Sequence, residues 1–147
     1  MTSIEITSNY GYVLLVATST FVLNTIHGFN TGSYRRAAGV DYPAAYAPSS
    51  RTDKAALCFN SAQRAHANFI ENQPTAVGAM LIAGLKFPLT TAVIGGFWSL
   101  FRLVYMLGYS QGKPNGKGRY KGIPAFLFQY GLIGLAGYAS IITILGS

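Results

Sequence analysis

Between Phe59 and Pro74 the chain reads FNSAQRAHANFIENQP, which sets Arg64, His66, Asn68 and Glu71 directly ahead of the apolar run Thr75 to Leu85. Charged side chains bordering or entering a bilayer are costly, so such residues are read first as a ligand or ion site. At about 100° per residue, Arg64, Asn68 and Glu71 fall within roughly 60° of one another on a helix. They form one narrow face with two donors and a carboxylate. Further on, Arg102, Tyr105 and Tyr109 are spaced i, i+3, i+7 and share a second helical face. Together the two faces offer guanidiniums for carboxylates, a carboxylate for an amine, and phenolic hydroxyls, the set a small zwitterionic ligand needs. The structural alternative is an intramembrane ion pair between Arg102 and Glu71 that fixes helix register. The two readings are compatible.

The elements that must position these residues are membrane helices. Half of the 147 residues are hydrophobic and only 10% are charged, against ~25% in a soluble domain. Four apolar segments, Tyr10 to Phe29, Ala62 to Leu85, Leu89 to Tyr109 and Ile123 to Leu145, each approach the ~20 residues that cross ~30 Å of hydrocarbon. The expected fold is all-α, a four-helix membrane bundle forming one domain over residues 1–147. The second segment is the least apolar, and it is acceptable as a span only if its polar half faces a bundle interior or a subunit interface. The first lacks a basic region before it, with only Glu5 charged, so it is expected to remain as a helix.

Charge sets orientation and excludes some partners. The net charge of +7 is concentrated in two loops, Arg35 to Ala56 and Ser110 to Gly122, the second carrying Lys113, Lys117, Arg119 and Lys121 and no acid. Four spans put both loops on one side, and the positive-inside rule makes that side cytosolic, with both termini lumenal or exterior. Basic residues so placed serve anionic lipid rather than nucleic acid, and no nucleic-acid partner is expected. For Arg35 and Arg36 the plain alternative is a stop-transfer flank, and for Arg119 a headgroup contact. The single cysteine, Cys58, permits no intrachain disulfide. His27, His66 and Cys58 lack metal-ligand spacing, so no metal is expected.

Three strings, VDYPAAYA (Val40 to Ala47), FNSAQRAHANFIEN (Phe59 to Asn72) and RLVYMLGYSQGKP (Arg102 to Pro114), resemble the membrane-associated eicosanoid and glutathione metabolism proteins, the MAPEG family. Within that family they are most similar to the third-type microsomal glutathione transferases, and the resemblance covers nearly the whole chain. It implies a homotrimer of four-helix subunits in the endoplasmic reticulum, with the outer mitochondrial membrane as a second location, and glutathione bound between neighbouring subunits. It further implies that Arg35, Arg64, Asn68, Glu71, Arg102, Tyr105 and Tyr109 contact glutathione, with Glu71 on the ammonium. Arg119 is the counterpart of the arginine that activates the thiol, and Lys117 or Lys121 can be aligned there instead.

The implied activity is a glutathione transferase or peroxidase acting on lipophilic electrophiles or lipid hydroperoxides, with leukotriene C synthase-like chemistry as a variant. The residue after Glu71 is tyrosine in leukotriene-forming relatives and Asn72 here, which weakens that variant. A non-catalytic lipid-binding scaffold resembling 5-lipoxygenase-activating protein is the alternative, and a small transporter or channel lined by Arg102 and Glu71 is a third class. Neither alternative requires Arg119.

Overall fold

The computed structural model describes residues 6–146; residues 1–5, with Glu5, and residue 147 lie outside it. Four α-helices and one 3-10 segment follow in order: α1 Tyr10–Ala38, α2 Lys54–Gly84, α3 Pro88–Tyr109, the 3-10 segment Pro114–Gly122, and α4 Pro124–Leu145. No strand occurs among the described residues, but five helical elements stand where four were expected.

The first two helices outrun their apolar segments. α1 continues past Phe29 to Ala38, and α2 begins at Lys54 rather than Ala62. At 1.5 Å per residue, their 29 and 31 residues make rods of about 43 and 46 Å. The 22 residues each of α3 and α4 make about 33 Å, close to the ~30 Å hydrocarbon thickness. Hydropathy ends where apolar residues end, whereas backbone hydrogen bonding carries a helix on into water. What stops α1 is Gly39, left-handed at φ 59°, whose N–H reaches the carbonyls of Arg35 and Arg36. What starts α2 is Asp53, whose carboxylate accepts from the Ala56 N–H at 3.1 Å. Arg51 grips both oxygens of that carboxylate at 2.9 and 3.0 Å. This pair, and then the Ala56 N–H, hold the Asp53 carboxyl down at about 2.

Three helices, α1, α3 and α4, are long and apolar enough to cross a membrane, where four spans were expected. α2 misses that standard because Arg64 and Glu71, with amides between and after them, dilute its apolar content. It nevertheless traverses the bundle. It begins beside the Ser110–Gly122 loop, where Lys54 donates to the carbonyl oxygen of Gln111, and it ends at the short turn into Pro88. The same end holds the contact from Asn30 of α1 to Ser110 Oγ, 2.9 Å, so the two basic loops do share one end. The core lies midway, where Phe69, Met80, Trp98 and Leu132 interlock and Ala76 and Ala83 bring α2 close to its neighbours.

The Ser110–Gly122 loop, despite its glycines, is largely docked. A Cβ on Gly118 would run into the carbonyl oxygen of Gly108, and one on Gly108 into that of Gly118, so the two backbones touch with no side chain between them. Asn115 and Gly116 turn the chain at φ 54° and 64°, and Gly116 lies against the Tyr109 ring.

Candidate functional site

Seven of the eight residues singled out above lie in one continuous array on α2, α3 and the 3-10 segment. On α2, the Arg64 guanidinium and the Glu71 carboxylate form a two-pronged ion pair, 2.8 and 3.3 Å, with side chains about half exposed at 47% and 52%. The expected partner of Glu71, Arg102, is not within ion-pair distance. The reason is reach: two turns along one helix bring Arg64 onto the carboxylate without crossing to α3. Between them, Asn68 Oδ1 accepts a hydrogen bond from Arg102 Nη2 at 2.9 Å.

Arg102 is fully buried, and its Nε and Nη1 have no hydrogen-bond partner. Its guanidinium sits among four rings: Tyr105 at 5.1 Å, Phe126 at 5.5 Å, Phe69 at 5.7 Å and Trp98 at 5.8 Å to the ring centroids. Cation–π contact offsets part of the lost hydration of this charge but gives neither nitrogen a hydrogen-bond acceptor. A buried guanidinium with open donors and no carboxylate beside it is a charge the protein leaves uncompensated.

The array continues toward the basic end. The Tyr105 and Tyr109 rings meet edge to face at 5.6 Å. The Arg119 guanidinium stands 5.6 Å from the Tyr109 ring and 5.3 Å from that of Tyr120. Its pKa is raised, chiefly by the hydrogen bond with the Tyr109 hydroxyl, so it is a permanent cation. Neither ion pair among the described residues involves it. It lines a cleft of about 330 Å³ with Leu57, Ser61, Tyr109, Lys113 and Asn115. Lys117 and Lys121, the other candidates for its role, are exposed and do not line this cleft.

Arg35 lies apart. It is buried on α1 with Nη1 donating to the carbonyls of Ala44 at 2.7 Å and Val40 at 3.4 Å, and its guanidinium is stacked 4.2 Å from Tyr42 and 4.7 Å from Phe59. It ties down the loop after α1 rather than only flanking a span. With Thr31, Gln63 and His66 it lines a separate cleft of about 300 Å³. Among the described residues no group of three or more His, Cys, Asp or Glu side chains is placed to hold a metal.

Three residues joined to the array were not anticipated in that role. Trp98 Nε1 donates to Gln129 Oε1, Gln129 Nε2 to Asn72 Oδ1, and Asn72 Nδ2 to the carbonyl of Asn68. The available signal was Gln129, the one amide in the mostly apolar α4. Compared with known families, the chain matches the family model described as MAPEG family over residues 13–139, from α1 into α4.

Proposed function

Since the chain belongs to the MAPEG family of membrane proteins, we propose that it is a glutathione transferase with glutathione peroxidase capacity, working as a homotrimer of the third microsomal type. The family covers glutathione transferases and proteins of eicosanoid and lipid metabolism, some of them non-enzymatic, and apolar helices α1, α3 and α4 make this chain an integral membrane protein. The observation that carries the proposal is Arg102: a buried guanidinium with two open donors, in line with Asn68, Tyr105, Tyr109 and Arg119, matches a small anion carrying a thiol.

Glutathione has two carboxylates, an ammonium and a thiol. Arg64 and Arg102 take carboxylate, Glu71 takes the ammonium by exchanging part of its contact with Arg64, and the tyrosine hydroxyls line the path to Arg119. Arg35, held away from this array in its own subunit, completes the site of a neighbouring subunit. The array leaves Arg64 and Glu71 half exposed, as an interface that closes on assembly requires.

A free thiol titrates near ~8.5, so at neutral pH it is mostly protonated, and an adjacent guanidinium favours the thiolate. Arg119 supplies that charge, and the proton leaves through the cleft beside it to water. The thiolate sulfur then attacks the electrophilic carbon of a lipophilic substrate, forming a thioether as the leaving group or π-electron pair is displaced. With a lipid hydroperoxide the sulfur attacks the distal oxygen and the O–O bond breaks. That gives a glutathione sulfenic acid and a lipid alkoxide, which takes a proton from water to become the alcohol; a second glutathione converts the sulfenic acid to the disulfide with loss of water. The deciding experiment is ultraviolet thiolate absorbance on mixing glutathione with the purified protein in lipid at neutral pH. A thiolate signal stoichiometric with sites is expected; binding without thiolate formation would indicate the non-catalytic scaffold instead.

A further inference from the structure

Behind the array a chain of hydrogen bonds passes through three helices. Trp98 Nε1 on α3 donates to Gln129 Oε1 on α4 at 3.1 Å, and Gln129 Nε2 donates to Asn72 Oδ1 on α2 at 3.1 Å. Asn72 Nδ2 donates to the Asn68 carbonyl at 2.8 Å, and Asn68 Oδ1 takes the single hydrogen bond that Arg102 makes, 2.9 Å. The directions are forced. An indole N–H can only donate and a backbone carbonyl can only accept, so both amides between them have one permitted orientation. Because the Trp98 ring also lies 5.8 Å from the Arg102 guanidinium, the contacts close into a ring: Trp98, Gln129, Asn72, Asn68, Arg102 and back to Trp98.

Trp98 is fully buried and Gln129 nearly so, so no water substitutes easily for a lost member. Four directed hydrogen bonds closed by one cation–π contact, with Trp98, Gln129 and Arg102 buried and Asn68 and Asn72 partly so, hold their members to one arrangement more tightly than separate pairs do. What it holds here is a guanidinium whose Nε and Nη1 are left open. We infer that Trp98, Gln129 and Asn72 are positioning residues of the anion site: none touches the ligand, and together they fix the angle at which Arg102 presents the free N–H groups of Nε and Nη1 to a carboxylate. The inference rests on the glutathione reading above. It assigns to α4 a part in ligand affinity, not only in packing.

The competing account is a register lock, in which the amides only pin three helices together. The two accounts differ in kinetics. The test uses the full-length protein in lipid, with Gln129→Met, which keeps length and apolar bulk without either hydrogen bond, and Trp98→Phe, which removes the donor and keeps a ring. Phe128→Leu is the control, since Phe128 packs on Phe97 and Phe101 from α4 and makes no contact with the ring of bonds. Both test variants are expected to raise KM for glutathione on the order of tenfold, with kcat at saturating glutathione within about twofold, because Arg119 still faces the sulfur. The bound-thiolate titration should stay in place, and Phe128→Leu should leave KM unmoved.

Lowered thermal stability with unchanged KM in both test variants would overturn the inference, as would an equal rise of KM in Phe128→Leu. If Gln129→Met does not fold, Trp98→Phe decides by the same comparison. Calorimetry on the unaltered protein separates the two levels. No glutathione binding there removes the functional reading and this inference with it, whereas normal binding with unmoved variants removes the inference alone.

Discussion

A buried guanidinium with open donors is a cost that folding alone does not explain. Arg102 has four rings around it and one hydrogen bond, and its remaining buried N–H groups face no protein acceptor. Replacing such a charge with an apolar side chain of similar length is often neutral or stabilising. Arg102→Met is therefore expected to melt, without ligand, at a temperature at least as high as the parent, while its glutathione Kd rises on the order of a hundredfold. Parallel melting and calorimetry check this; a large loss of stability with unchanged affinity would make Arg102 structural. Arg119 is the complementary case. Arg119→Ala is expected to retain glutathione binding and lose most turnover, because the bound thiol's titration should move up toward the free value near ~8.5. Thiolate absorbance against pH tests it, with Lys117→Ala and Lys121→Ala expected to leave the midpoint in place. The spacing of Arg64, Asn68 and Glu71 did expose a polar face, but it could not show which cation Glu71 takes, because a same-helix partner at i+7 and a cross-helix partner are equally compatible with periodicity.

At the scale of elements, helix type and order were readable from the apolar segments, whereas the ends of α1 and α2 were not. Gly39 and Asp53 carry those boundaries, and both lie beyond the hydrophobic pattern that locates a span. The segment after α3 was the larger surprise. Its glycines suggest a loose loop, yet Gly108 and Gly118 are where two backbones meet. Glycine there serves close approach rather than mobility, and one sequence cannot separate the two uses. Gly118→Ala is expected to push the 3-10 segment off α3 at a cost of about 1–3 kcal/mol. Turnover should fall with it, since Arg119 is the next residue. Faster amide exchange across residues 114–122 with unchanged protection in α4 is the expected pattern, and uniform exchange would contradict it.

For the whole molecule the separation of Arg35 from the array is the decisive feature. If each site takes Arg35 from one subunit and the remaining residues from its neighbour, two inactive chains can repair each other. Co-expressed Arg35→Ala and Arg119→Ala chains are expected to form mixed trimers that each contain one intact site, restoring turnover that neither variant has alone. No restoration in mixed trimers isolated by two tags would place the whole site within one subunit. The unequal rods carry a further consequence. α1 and α2 exceed α3 and α4 by about 10–13 Å, and the excess lies at the basic end where both loops gather. Seven residues separate Arg102 from the end of α3, about 10 Å of helix, so with α3 matched to the ~30 Å of hydrocarbon the array runs from the basic end inward by that depth. An amphiphile meets it without leaving the bilayer, so its effective concentration is a mole fraction in the lipid surface rather than an amount per litre. Adding inert phospholipid at constant bulk substrate should then slow the reaction by surface dilution, while leaving the dependence on glutathione, a solute of the water phase, unchanged.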